Sequence, residues 1–143
     1  MTEPTPIPHR PMELDGGAFE TLAATIDKLL DDASGCPWDR KQTFADLIPQ
    51  IVEEVGELDE ALQAGDADHA LDEAGDVLMC MFLVLAKMRD RWDCPPGDAA
   101  RKAVEKIVRR HTWIFGEDAG KVRTPEDAER LWAVNKRRET PDG

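Results

Sequence analysis

Apolar residues recur along this chain at helical spacing, and nowhere do they alternate long enough to make a strand. Phe19, Leu22, Ile26, Leu29 and Leu30 predict a first helix from about Ala18 to Asp32. Ala33, Ser34 and Gly35 end it, and Cys36-Pro37-Trp38-Asp39 reads as a turn, because proline cannot continue the helical ladder. A second helix opens at Thr43, a good N-cap, and runs to about Ala64 with Gly65 as its stop. Leu47, Ile48, Ile51, Val52, Val55, Leu58 and Leu62 line one broad face of it. A third helix runs from about Ala67 to Asp90, with Asp66 as a candidate cap. Its second half, Val77 to Ala86, is apolar all round, so it must be covered on every side. A bundle this small has few helices to do that, which favours burial against a second subunit.

Pro95, Pro96 and Gly97 break the chain before a fourth helix, expected from about Asp98 to Phe115. A loop with Gly116 and Gly120 follows, then Thr124 and Pro125 as N-cap and first residue of a last helix ending near Glu139. Pro4, Pro6, Pro8 and Pro11 make the first seventeen residues an irregular arm, and 140–143 form a short tail. The expected fold is all-α: an antiparallel bundle of about five helices in one domain, 18–139, that oligomerises through its apolar third helix.

Composition narrows the picture. Apolar residues make up 41% of the chain and charged residues 34%, a globular balance. The longest apolar run is far short of the roughly 18–20 residues that span a bilayer, so no membrane role is expected. No signal peptide is visible, and the three scattered cysteines Cys36, Cys80 and Cys94 fit reduced thiols in the cytoplasm. His9, His69 and His111 are too dispersed for a zinc site. A net charge of −12 repels a phosphate backbone, so nucleic acid is not an expected partner. It does not exclude a small anion held through a divalent cation.

The candidate chemistry lies in two acidic stretches. Glu53-Glu54-Val55-Gly56-Glu57 falls in the middle of the second helix, and Glu73-Ala74-Gly75-Asp76 in the third. Glu54 and Glu57 are neighbours at three-residue spacing, as are Glu73 and Asp76, and like charges so placed cost a helix a few tenths of a kcal/mol each. Glu54 falls at the edge of the apolar face, whereas Glu53 points away from it. A hard divalent cation with oxygen ligands would compensate both pairs. A solvated acidic face is the competing explanation. A di-iron bundle would need Glu-x-x-His pairs, and none is present, so magnesium or manganese is preferred to iron. Arg101, Lys102, Lys106, Arg109, Arg110 and His111 crowd the fourth helix, and Lys136, Arg137 and Arg138 the last. Such cations would neutralise a polyphosphate near bound metal, or simply balance neighbouring acids. Trp38 and Trp132 are candidates for stacking on a base, against the ordinary alternative of packing.

Together these residues resemble the MazG-type nucleoside triphosphate pyrophosphohydrolases. Cys36-Pro37-Trp38-Asp39 with Gln42-Thr43 is similar to the family's opening motif. Glu53, Glu54, Glu57, Glu73 and Asp76 match its Glu-Glu-x-x-Glu and Glu-x-x-Asp metal motif. Arg109-Arg110-His111 with Phe115 resembles its third block, and Trp132 and Lys136 its final helix. The resemblance implies magnesium-dependent hydrolysis of a nucleoside triphosphate to monophosphate and pyrophosphate, with manganese as a substitute, by a cytoplasmic homodimer or homotetramer. It implies Glu54, Glu57, Glu73 and Asp76 as metal ligands. Glu53, Glu54, Glu57 and Arg110 would be catalytic, with Glu53 behind the ligands, an extra ligand, or the base that orients water. Trp38, Lys106, Arg109, Arg110, Trp132 and Lys136 would meet the nucleotide. A narrower substrate, a pyrimidine deoxynucleotide or an oxidised nucleotide, and a helical binding module without catalysis are the alternatives.

Overall fold

A computed structural model describes residues 7–139. The first six residues of the expected arm and the expected tail, 140–143, lie outside the described residues. Among those described, residues 7–15 form no regular element, and every regular element is helical. There are seven helices: α1 (Ala18–Leu29), α2 (Pro37–Lys41), α3 (Phe44–Ala64), α4 (Ala67–Trp92), α5 (Gly97–Arg110), α6 (Thr112–Phe115) and α7 (Pro125–Glu139). The all-α expectation holds, with two short helices added to the five read from periodicity.

The chain divides into two compact units that meet at Lys87 and Met88. In the first, α1 stops at Leu29, three residues before the expected end. Asp31 takes over the backbone there, because its Oδ2 accepts from the amides of Ala33 and Ser34 at 3.1 and 2.8 Å. The chain then folds back so that the Cys36 amide donates to the Leu29 carbonyl at 2.7 Å. Only glycine fits at 35, since a Cβ there would lie 2.4 Å from the same carbonyl oxygen.

Pro37 begins a helix instead of preventing one. At the first position of α2 its missing N–H costs nothing and its fixed φ suits the helix. The carbonyls at the other end are satisfied by the Lys87 ammonium, which donates to Asp39 O (2.7 Å), Arg40 O (3.2 Å) and Gln42 O (2.6 Å). One half-buried lysine on α4 thereby fixes the segment that carries Trp38.

Thr43 caps α3 through a reciprocal box. Its hydroxyl accepts from the Asp46 amide at 3.2 Å, and the Asp46 carboxylate accepts from the Thr43 amide at 2.9 Å. Gly65, at φ 72°, closes α3 as expected, and Asp66 caps α4 by accepting from the His69 amide at 3.1 Å. The two long helices form a hairpin around this glycine. Ile26, Leu47, Ala61, Cys80, Leu83, Val84 and Ala86 make the buried core. The apolar face of α3 splits around it: Leu47 is buried, whereas Val52 and Leu62 are 66% and 61% exposed. On α4, Leu78, Met79 and Met81 also remain open to solvent.

In the second unit the expected fourth helix breaks at His111, giving α5 and α6. A side chain from α7 holds the break: Asn135 Nδ2 donates to Arg110 O at 3.0 Å and to Thr112 Oγ1 at 2.9 Å. The Thr112 hydroxyl passes the chain of bonds to Asp118 at 2.6 Å. Thr124 caps α7 as expected, accepting from the Asp127 amide at 3.1 Å.

Candidate active site

The α3–α4 hairpin brings the two acidic pairs together. Carboxylate oxygens of Glu54, Glu57 and Glu73 lie within 4.8 Å of one another, and Asp72, Glu73 and Asp76 form an overlapping group of the same tightness. Glu73 belongs to both groups and is only 8% exposed. Glu54, Glu57 and Asp76 are half-buried; Glu53 and Asp72 are exposed. His69, one turn before Glu73, holds its Oε1 through Nε2 at 3.1 Å.

The electrostatics are those of an uncompensated anion cluster. Burial, a hydrogen bond with Glu73 and the charges of Glu57 and Asp76 push the Glu54 carboxyl up to about 7. Burial, then the Glu54 and Asp76 charges, also raise the Cys80 thiol, which keeps it protonated and out of the ligand set. Among the described residues, Glu54 Oε2 and Glu73 Oε2 are buried with no hydrogen-bond partner. Buried carboxylate oxygens left unpaired are costly, and here they belong to two side chains of one cluster. Hard oxygen donors, several charges and unsatisfied lone pairs fit a divalent cation such as magnesium or manganese.

Just before these carboxylates on α3 lies a cavity of about 450 Å³ lined by Trp38, Lys41, Gln42, Asp46 and Gln50. The Trp38 ring is 60% exposed, with the Lys41 ammonium 4.6 Å from its centroid. A larger cavity, about 810 Å³, lies against α1 and the 34–36 turn, but only Glu20 and Lys28 in its lining are charged. It offers no comparable chemistry.

In the second unit, four of the expected nucleotide contacts are linked through Glu139, Arg110 and the Trp132 ring. Arg109 Nε reaches Glu139 Oε1 at 2.7 Å, and Arg110 meets Glu139 through Nε and Nη2 at 3.2 and 3.1 Å. The Arg110 guanidinium and the Lys136 ammonium lie 5.2 and 5.1 Å from the Trp132 ring centroid. The two arginines hold the Glu139 carboxyl down at about 2. Lys106 is exposed on α5, outside these contacts.

Residues 42–115 match the MazG nucleotide pyrophosphohydrolase domain, just over half of the chain. The chain belongs to the MazG family. It is 38% identical over 109 residues to the nucleoside triphosphate pyrophosphohydrolase/pyrophosphatase MazG of Thermotoga maritima, covering 76% of this chain and 42% of that protein. It is 31% identical over 103 residues to the nucleoside triphosphate pyrophosphohydrolase of Escherichia coli K12, covering 71% of this chain and 38% of that one. The crystal structure of a mazG-related protein from Thermotoga maritima superposes with a TM-score of 0.69 at 30% identity, over 82% of this chain and 98% of the other. The chain thus spans less than half the length of both curated relatives named here.

The matched MazG region contains every expected metal residue and Lys106, Arg109 and Arg110; Trp38, Trp132 and Lys136 fall outside it. Five residues that shape these sites were not expected from the sequence, among them Asp72, which joins Glu73 and Asp76. His69 and Glu73 stand four apart, a legible pairing that a search for Glu-x-x-His passes over. Glu139 stands as an acid beside the basic run Lys136-Arg137-Arg138, and it had been read only as a helix end. Lys87 and Gln50 carry no local signal, because their partners lie on other elements or depend on the α2 fold.

Proposed function

We propose that this chain is a divalent-metal-dependent nucleoside triphosphate pyrophosphohydrolase, acting through residues 18–139 as one catalytic domain. The observation that carries the reading is the carboxylate cluster on the α3–α4 hairpin, with two buried oxygens that have no protein partner. Glu54, Glu57, Glu73 and Asp76 would hold magnesium, with manganese as a substitute. Bound there, such an ion would supply charge neutralisation for the triphosphate and a lowered pKa for water.

The chain's own residues do the rest. In the reaction water adds across the α–β phosphoanhydride, that bond breaks, and the electron pair leaves with pyrophosphate. Glu53 is exposed beside the cluster on the same helix, free to orient the water and take its proton. Arg110 already grips a carboxylate in forked geometry, the geometry in which guanidinium groups also take phosphate oxygens, and Arg109 meets the same carboxylate through Nε. In this reading Arg110 stabilises charge on departing pyrophosphate, and Lys106, Arg109 and Lys136 add to it. Trp38 and Trp132 meet the nucleoside.

The same reading makes the enzyme a homodimer or homotetramer. Val52, Val55 and Leu62 of α3 and Leu78, Met79 and Met81 of α4 stay exposed in the single chain, an apolar surface that a second copy would cover. Among the described residues no helix is long and apolar enough to cross a membrane. We place the enzyme in the cytoplasm with its nucleotides. Purified protein with magnesium should release pyrophosphate from a panel of nucleoside triphosphates. No release from any of them, from a folded sample, would overturn the reading.

A further inference from the structure

The cavity beside Trp38 has a polarity that follows from its hydrogen bonds. Gln42 is 8% exposed, and its Nε2 donates to Trp38 O at 3.4 Å. Its Oε1 accepts from Gln50 Nε2 at 3.1 Å, and Gln50 Nε2 also donates to Asp46 O at 3.2 Å. A backbone carbonyl can only accept, so each amide must turn its nitrogen toward the carbonyl it meets. The orientation of both amides is therefore fixed by Trp38 O and Asp46 O, not by choice. Both N–H groups of Gln50 are then committed, and what remains for the cavity is its Oε1, an acceptor. Asp46 contributes a second acceptor: its Oδ2 takes the Thr43 amide and hydroxyl, each at 2.9 Å, which leaves Oδ1. The charged donor on the wall, Lys41, lies over the Trp38 ring.

Position adds a second argument. Gln50 precedes Glu54 by four residues and Glu57 by seven. On an α-helix those steps are about 6 and 10 Å along the axis, within about 40° of the same face. The cavity thus lies next to the carboxylate cluster at a distance that a nucleoside bridges between its base and its first phosphate. Its volume, about 450 Å³, falls inside the roughly 300–1,000 Å³ range of ligand pockets.

We propose that the Trp38–Gln42–Gln50 cavity receives the nucleobase, and that Gln50 Oε1 and Asp46 Oδ1 select bases carrying an exocyclic amino group. This deepens the pyrophosphohydrolase reading and rests on it. Trp38 supplies the stacking surface, Gln42 accepts from the Gln50 amide, and Lys87 fixes the C-terminal end of α2. A carbonyl there would face an acceptor, and the base would keep at most one contact, through the hydrogen that its neighbouring ring nitrogen then carries.

The test compares CTP with UTP, and ATP with ITP, pairs in which a carbonyl replaces the amino group and the adjacent ring nitrogen gains a hydrogen. The inference expects kcat/KM to favour the amino member of each pair by about tenfold or more, carried by KM. Gln50→Leu, with its fold checked by circular dichroism, should bring both ratios within about threefold of one. Gln50→Glu sets a second oxygen against Gln42 Oε1 and Asp46 O, so it should lose the preference as Gln50→Leu does. The monophosphates CMP, UMP, AMP and IMP, measured by calorimetry, should show the same order of affinity without any turnover. Equal kcat/KM within each pair, a preference for UTP and ITP, or a preference that survives Gln50→Leu would overturn the inference. Absence of turnover with the monophosphate order intact would overturn the hydrolase reading and leave the base pocket standing.

Discussion

Acid should weaken metal binding by a definite amount. Glu54 is held at about 7 by burial and its acidic neighbours, whereas a divalent ligand site needs the carboxylate form. Binding must therefore expel a proton, and apparent affinity falls by the factor 1 + 10^(pKa − pH). That factor is about 11 at pH 6 and about 1.1 at pH 8, so magnesium should bind roughly tenfold more weakly at pH 6. The sign for stability is the same. The folded, metal-free chain keeps its Glu54 proton where the unfolded chain has lost it. Stability from this group therefore falls as pH rises from about 4.5 to about 7, and the loss is complete above that. Saturating magnesium should remove this dependence. Calorimetry in two buffers of different ionisation heat counts the protons: about 0.9 released per site at pH 6 and about 0.1 at pH 8. Equal affinity at both pH values, with no proton released at pH 6, would refute the reasoning.

Three further outcomes follow from the same structure. Asp76→Ala or Glu57→Ala should lower turnover by orders of magnitude while leaving the metal-free fold unchanged or slightly more stable, because each relieves repulsion in the cluster. Magnesium at a hundred times its Kd should stabilise the parent by about 2.7 kcal/mol, and thermal unfolding should show that gain shrink in either variant. Arg110→Ala should cut turnover, leave magnesium affinity nearly intact and lower the melting temperature, because it strips one partner from Glu139. The Glu139 contribution is present above its unfolded pKa and lost as pH falls through about 2, so a Tm difference between parent and variant that did not narrow in strong acid would contradict it. Light scattering should give at least a dimer, and Val52→Asp, on the open face of α3, should shift it toward a 16.0 kDa monomer; a monodisperse parent monomer would remove the proposed interface.

The long helices and the acidic cluster were legible because their signals are local. Thr43, Gly65 and Thr124 mark helix ends through their own side chains or backbone, and the spacing of Glu54 with Glu57 and Glu73 with Asp76 survives folding unchanged. What was not legible depends on partners distant in sequence. The break at His111 comes from Asn135, which lies 25 residues beyond Arg110 and leaves no trace in the periodicity of α5. Pro37 signals a turn by its missing N–H, whereas its position at the start of α2, with Lys87 capping the far end, makes it a helix former. The apolar stripe of α3 predicted burial correctly for Leu47 and not for Val52 or Leu62, since periodicity shows which residues share a face but not whether one chain covers it. In the candidate site, Arg110, Trp132 and Lys136 were expected one residue at a time, but Glu139, the carboxylate that pairs with Arg110, was not.

The central claim is that the α3–α4 carboxylates make a metal site that splits a triphosphate between its α and β phosphates. Phosphorus NMR of a nucleoside triphosphate incubated with the protein and magnesium tests it directly, with Glu73→Gln in parallel. The parent should give monophosphate and pyrophosphate, no diphosphate or orthophosphate, and the folded variant almost no product. Diphosphate with orthophosphate, or undiminished product from Glu73→Gln, would contradict it.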